Sequence, residues 1–204
     1  MYQTYRQLFI SPFLPVSMEF DALVAKRRSV RSFKKKPANW RDIVEAVDSA
    51  RNIPLAGNDP TIRFLVVQDK EKIEKLARFS EQLWITEASI VIAVCSDDSM
   101  LEKQYGERGR IYSRQQAGAA IQTLLFKLVD LGLSACWVGS YDDNKIRCLL
   151  EIPAKIQIEA LIPIGYERIA PSKKYKRSLK GITFWEKWDT QEIPPIFKEP
   201  TFTE

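Results

Sequence analysis

Three arginines and two serines lie within six consecutive residues, in the stretch Arg27–Phe33. An arginine guanidinium presents a planar set of donors that matches a phosphate or a carboxylate, and a serine hydroxyl adds a neutral donor. If the segment is extended, Arg27, Ser29 and Arg31 point to the same side. The stretch therefore predicts either an anion-binding segment or a solvated basic turn, and taken alone its seven residues favour the turn.

Other kinds of catalytic chemistry find little support in the residue types. Histidine is absent, which excludes Ser-His-Asp and Cys-His catalysis and nearly all zinc sites. Neither a Walker A loop nor a Rossmann glycine pattern occurs. The paired carboxylates Asp97-Asp98 and Asp142-Asp143 stand at predicted junctions between strands and helices, where helix capping is the better interpretation. No catalytic side chain and no metal site is expected, so a bound cofactor would have to carry the chemistry.

The composition is that of one globular domain of 204 residues, 45% of them hydrophobic and 28% charged. A net charge of +5 suits an anionic ligand, but the basic residues are spread along the chain and no nucleic-acid-binding motif is present. Cys95, Cys136 and Cys148 lie beside apolar residues, which predicts buried free thiols in a reducing, cytoplasmic compartment. No apolar run is long enough to span a membrane.

Apolar periodicity predicts helices and strands that alternate along the chain. A helix is expected over residues 37–51 with Asn39 as its cap, and a long helix over 113–131. Strands are expected over residues 62–68, 89–95, 134–139, 156–166 and, in the tail, 182–188. This order predicts an α/β or α+β sandwich around a small sheet.

We expect three parts in the chain: an N-terminal arm over residues 1–17, a domain over 18–180 and a C-terminal extension over 181–204. Phe184, Trp185 and Trp188 make this extension too apolar for a free end. It is therefore expected to lie on a second subunit.

The arginine-rich stretch resembles the R-R/H-S-x-R/K-x-F signature of the nitroreductase family of flavin oxidoreductases, and Pro54–Asn58 followed by Phe64–Val67 resembles its flavin loop and next strand. Further matches follow in the family's order at Tyr105-Gly106, Gly118–Gln122, Leu131–Gly139, Ile152-Pro153, Ile164–Tyr166 and Arg177 with Ile182-Thr183. The resemblance extends over about residues 18–188. It implies an α+β fold that is a three-layer α/β/α sandwich, with a small mixed sheet flanked by helices, dimeric with a C-terminal arm.

The resemblance also implies a homodimer with FMN bound at the subunit interface. Arg27, Arg28, Ser29 and Arg31 match positions that hold the FMN phosphate, the ribityl chain and the N1/O2 edge of the flavin. Asn58 matches the position that bonds to the pyrimidine edge. The remaining matched positions are a backbone segment near flavin N5 and cations at the phosphate, here Val138, Gly139, Ser140, Arg177 and Lys176 or Lys174.

The reaction implied by the resemblance is a ping-pong hydride transfer from NAD(P)H through FMN N5 to a small acceptor such as a nitroaromatic, a quinone or an enone. Two alternatives remain: an FMN carrier or redox-sensing protein without turnover, and a specialised member that cleaves flavin or removes a halogen. One departure from the family is local. The family loop often continues Gln-Pro-Trp after its asparagine, whereas this chain has Asp59-Pro60-Thr61, which places a negative charge where flavin or substrate is expected.

Overall fold

The computed structural model describes residues 18–172 and 176–192. The chain forms two compact units, Met1–Pro171 and Ser172–Glu204. The helices of the first unit are α1 (Phe20–Lys26), α2 (Trp40–Ala50), α3 (Lys70–Phe79), α4 (Ser99–Tyr105), α5 (Glu107–Asp130) and α6 (Asp143–Leu150). Its strands are β1 (Ile62–Val67), β2 (Ile90–Ser96), β3 (Ser134–Ala135) and β4 (Gln157–Gly165). Short 3₁₀ turns lie at Ala56–Asn58, Leu83–Glu87 and, in the second unit, Leu179–Gly181.

The four strands form one sheet in the order β1-β2-β4-β3, and each neighbouring pair is antiparallel. A parallel pairing is added by a single-residue bridge between Ser29 and Ala135. Strand β2 is buried over its whole length, which agrees with its wholly apolar sequence. In the described part of the chain, no helix combines the length and the apolar character needed to cross a bilayer.

Helices cover both faces of this sheet. Successive side chains of β2 point to opposite sides, so its alternate residues pack against different helices. On one face Ile90, Ile92 and Val94 belong to a core cluster with Ile43 of α2 and Leu124 of α5. The other face is formed by alternate β2 residues and by buried residues of α3 and α6, namely Val91, Ala93, Cys95, Leu76 and Ile146. The expected three-layer sandwich is thus confirmed.

Local sequence patterns predicted some of the helices and strands correctly and others incorrectly. Asn39 caps α2 as expected, since its side chain accepts a hydrogen bond from the Arg41 N–H at 3.1 Å. The strand expected over 134–139 is shorter, because only Ser134 and Ala135 pair as a strand before the chain turns. The strand expected over 182–188 is wrong. The chain there contains bends, and φ is 61° at Glu186, which interrupts an extended conformation.

The three cysteines differ in exposure. Cys95 and Cys136 are buried as predicted, whereas Cys148 is exposed on α6, so the prediction is wrong for this thiol. Burial raises the pKa of the Cys95 thiol to about 11, which leaves almost no thiolate at neutral pH. With Ellman's reagent we expect one fast-reacting thiol in the native protein and three after denaturation. The fast phase should vanish in Cys148→Ser, and its persistence would show that a second thiol is accessible.

Candidate functional site

The arginine-rich segment forms an extended edge beside β3. Helix α1 ends where the Arg27 N–H donates to the Leu23 carbonyl at 3.0 Å, and the Val30 N–H then donates to the Ala135 carbonyl at 3.1 Å. Val30 is only 2% exposed, whereas Ser29 is half-buried and Arg31 is exposed. The segment is therefore anchored by its apolar residues and presents its polar residues away from the core.

The three arginines of this segment have different surroundings. The Arg28 guanidinium donates to the carbonyls of Ala25 and Arg27 at the end of α1, so its hydrogen bonds stabilise the C-terminal end of this helix. The Arg31 guanidinium lies 5.9 Å from the centre of the Trp84 ring, a cation–π contact. Arg27 is half-buried as a residue, and its guanidinium forms no hydrogen bond or ion pair with the described residues. Within this part of the chain, Arg27 is the arginine of the segment most available to a ligand.

An ion pair between Glu87 and Arg168, both far from the segment in sequence, fixes the end of the segment at Phe33. The Glu87 carboxylate accepts hydrogen bonds from the Phe33 N–H at 2.9 Å and from the Ser32 hydroxyl at 3.3 Å, and Arg168 donates to it at 3.0 Å. The hydrogen bond from the Phe33 N–H, assisted by Arg168, lowers the pKa of Glu87. The ionised Glu87 carboxylate therefore stabilises the folded state. This contribution is complete above the unfolded-state pKa of the carboxyl and is lost as the pH falls through the lowered pKa of the folded state.

Sequence reasoning missed both residues of this anchor. Glu87 stands 54 residues from Phe33, and Arg168 stands 81 residues from Glu87. Nothing in the local sequence of either residue points to the other. The pair binds Ser32 and Phe33, at the end of the extended segment opposite Arg27. It therefore stabilises the position of the segment without being part of the candidate site.

The turn that follows β3 lies beside the arginine-rich segment. Val138 forms two backbone hydrogen bonds with Leu161 of β4, at 2.9 and 3.0 Å, and is only 3% exposed. By contrast, Trp137, Gly139 and Ser140 are exposed. A Cβ added at Gly139 would meet no atom within 4 Å, so the backbone is open on that side. This glycine stands four positions after Ala135, which is bridged to Ser29.

The loop before β1 carries Asn58 in a conformation that few residues adopt. Gly57 has φ 59° and Asn58 has φ 55°, so two left-handed residues follow each other. Asparagine is among the few residues with a side chain that tolerate this region. Asn58 is exposed, and its amide forms no hydrogen bond with the rest of the described chain.

The sheet topology separates Asn58 from the arginine-rich segment within one chain. Ile62 of β1 is linked through Ser96 to Gln157, the first residue of β4, whereas Ala135 pairs with Ile164 near its end. β1 and β3 lie three strand spacings apart, about 14 Å. The seven steps along β4 from Gln157 to Ile164 add about 23 Å in the strand direction. Asn58 and the arginine-rich segment thus lie at two diagonally opposite corners of the sheet.

The second unit holds the remaining predicted cations. Lys176 and Arg177 are exposed, and the next residue, Ser178, accepts a hydrogen bond from the Gly181 N–H at 3.3 Å at the start of a short turn. Lys174 lies outside the described residues. The assignment of these cations to a phosphate stays a prediction.

Comparison with known proteins agrees with the family resemblance. The sequence model of the nitroreductase family matches residues 24–88 and 78–166. An iodotyrosine deiodinase from Thermotoga neapolitana is 26% identical over 179 residues, which cover 80% of this chain and 95% of that protein. The FMN reductase [NAD(P)H] of Bacillus subtilis is 23% identical over 180 residues, 81% of this chain and 72% of that protein.

A solved structure shows the same fold. The FMN-dependent nitroreductase from Clostridium difficile R20291 aligns with a TM-score of 0.71 at 22% identity, covering 83% of this chain and 100% of that one. The family model spans both corners of the sheet where the candidate site residues lie. The chain therefore belongs to the nitroreductase family.

Proposed function

We propose that this protein is an FMN-dependent oxidoreductase that transfers a hydride from NAD(P)H to a small acceptor such as a nitroaromatic, a quinone or an enone. The observation that carries the proposal is the bridge between Ser29 and Ala135. It joins a segment of cationic and hydroxyl donors to the exposed turn around Gly139 at one edge of the sheet. FMN is part of the names of the B. subtilis and C. difficile relatives, and this supports the choice of cofactor.

The residues at this edge fit FMN in charge and in space. Arg27 and Ser29 supply donors of the kind that a phosphate and a ribityl hydroxyl require. The open side of Gly139 leaves room for a flat ring against the backbone of residues 138–140. We assign Arg28 to the end of α1 rather than to FMN, because its guanidinium already bonds two carbonyls there.

Bound FMN would supply N5, the atom that accepts and then passes on the hydride. Arg31 would then act on the N1/O2 edge, where a cation stabilises negative charge on the reduced ring. Val138, Gly139 and Ser140 would orient the ring through the backbone. Lys176 and Arg177 are proposed as further cations for the phosphate. None of these groups has to move a proton, which fits a reaction without a catalytic acid or base.

The separation of the two corners favours a homodimer. Asn58 and Ser29 are too far apart in one chain to contact the same flavin, since the sheet lies between them. We infer that Asn58 of one copy completes the site formed by Arg27, Ser29 and Arg31 of the other. Residues 181–204 would then be the extension that lies on the partner.

A spectrum and an anaerobic reduction test the proposal. We expect the purified protein to be yellow, with one FMN per chain, and to lose its flavin absorbance on mixing with NADH or NADPH. Addition of a nitroaromatic or a quinone should then restore the oxidised spectrum. A protein that retains oxidised flavin for minutes in the presence of both nucleotides would be a carrier or a sensor instead.

The relationship to the deiodinase favours a second candidate reaction, reductive removal of a halogen. In that case an iodotyrosine would reoxidise the reduced protein and release iodide. The two candidates are separated by comparing reoxidation by iodotyrosine with reoxidation by a nitroaromatic, using iodide release as the product assay.

A further inference from the structure

The loop that carries Asn58 rests on a buried polar side chain, Gln116 of α5. Gln116 is only 4% exposed. In the amide orientation that gives each atom a complementary partner, its oxygen accepts from the Ala56 N–H at 3.1 Å. Its nitrogen donates to the Asp59 carbonyl at 3.2 Å and to the Thr61 hydroxyl at 3.1 Å. A single side chain therefore bonds to residues on both sides of Asn58.

This support matters because the loop conformation is unfavourable by itself. Gly57 adopts the left-handed conformation freely, but Asn58 carries a side chain, so its left-handed conformation costs conformational energy that surrounding contacts must offset. The bonds from Gln116 to residues 56 and 59 hold the two ends of this turn at a fixed separation. The Ser113 hydroxyl adds a longer contact to Thr61 at 3.4 Å, so the network continues along α5.

We propose that Gln116 is a positioning residue, which sets the direction in which Asn58 is presented to the cofactor. The inference rests on the proposed function, because it needs FMN as the group that Asn58 meets. Without the amide, the turn is free to relax and Asn58 no longer faces one direction. The helix that carries Gln116 would remain, because its other buried residues on this face are apolar or small.

Gln116→Met tests this role, since methionine keeps the length and volume of glutamine and removes its hydrogen bonds. We expect FMN to bind about fivefold more weakly, as for one hydrogen bond of about 1 kcal/mol. The absorbance maximum of the bound flavin should shift in the same variant. Gln115→Met is the matched control, because Gln115 is the exposed neighbour on the same helix, and it should leave both quantities unchanged.

A double-mutant cycle distinguishes positioning from a general loss of structure. If Gln116 acts through Asn58, the variant carrying Asn58→Ala and Gln116→Met should bind FMN only as weakly as Asn58→Ala alone. Losses that multiply would overturn the proposal, and so would a Gln116→Met protein that binds FMN as tightly as the wild type. Should Gln116→Met not fold, Thr61→Val removes one of the three bonds, and the same cycle with Asn58→Ala applies.

Failure of this inference and failure of the proposed function give different results. A wild-type protein that binds no FMN contradicts the proposed function. A wild-type protein that binds FMN, with a Gln116→Met variant that matches it in affinity and spectrum, contradicts only the role of Gln116.

Discussion

Replacement of Arg27 by alanine is expected to weaken FMN binding by about 10- to 150-fold, which corresponds to the ~1.5–3 kcal/mol of a charge-assisted contact. The reason is that the Arg27 guanidinium forms no contact with the described residues that would compete with a ligand. The fold itself should be preserved, because the segment is held by the Val30 N–H, by buried Phe33 and by Glu87. Affinity is measured by titration of FMN fluorescence, and stability by thermal unfolding without FMN.

Lys26→Ala is the matched control for the change in net charge. Lys26 is the exposed residue before Arg27 at the end of α1, and no FMN contact is assigned to it. A general electrostatic attraction would make the two variants equal, whereas a direct contact affects Arg27→Ala alone. Full FMN occupancy of Arg27→Ala after dialysis would show that the phosphate is bound elsewhere.

Mixed dimers extend this prediction to the inferred interface. If Asn58 serves the partner's site, a dimer of one Arg27→Ala chain and one Asn58→Ala chain contains one intact site and one site with both defects. Differently tagged chains, coexpressed and purified together, should then bind half of the FMN with wild-type affinity. Uniformly weak binding would mean that both residues act in the same chain, contrary to the sheet topology.

The elements that sequence reasoning predicted correctly depend on local patterns. The apolar run of β2 can be accommodated only where both faces are covered, and Asn39 stands directly before the apolar stripe of α2. For the arginine-rich segment the sequence left two possibilities open, an extended anion-binding segment and a solvated turn, and the burial of Val30 and Phe33 accounts for the extended form that the structure shows. These signals lie within a few residues, where chain geometry alone relates one side chain to the next.

The parts that could not be predicted depend on contacts between distant residues. Glu87 and Gln116 resemble ordinary surface and helix residues in the sequence, and only the fold shows what they bond. The same holds for the two corners of the candidate site. The resemblance assigned Asn58 and Ser29 to a flavin site at a subunit interface without saying which copy supplies each residue, and only the fold shows that they are separated within one chain, because β1 and β3 are opposite edges of the sheet. The exposure of Cys148 likewise depends on which face of α6 packs against the core.

The close approach of α4 and α5 is a position where a single methyl group should destabilise the protein strongly. Gly106, with φ 59°, connects the two helices, and Gly109 on the first turn of α5 then lies against the backbone of α4. A Cβ at Gly109 would clash with the backbone of α4, since it would lie 2.1 Å from the Leu101 carbonyl oxygen and 2.5 Å from the Glu102 nitrogen. Backbone atoms of a helix cannot rotate away as a side chain does, so the helices have to separate.

Gly109→Ala is therefore expected to destabilise the fold by about 3 kcal/mol or more, the upper part of the range for overpacking. For a chain of this size, the melting temperature should fall by roughly 6 °C or more. Gly118→Ala is the control on the same helix, because its Cβ would come no closer than 4.0 Å to the Trp137 ring. Since alanine favours a helix over glycine, that variant should be neutral or about 0.5–1 kcal/mol more stable. Equal melting temperatures for the two variants would show that α4 and α5 are not in close contact at Gly109, and opposite shifts would locate that contact at a single residue.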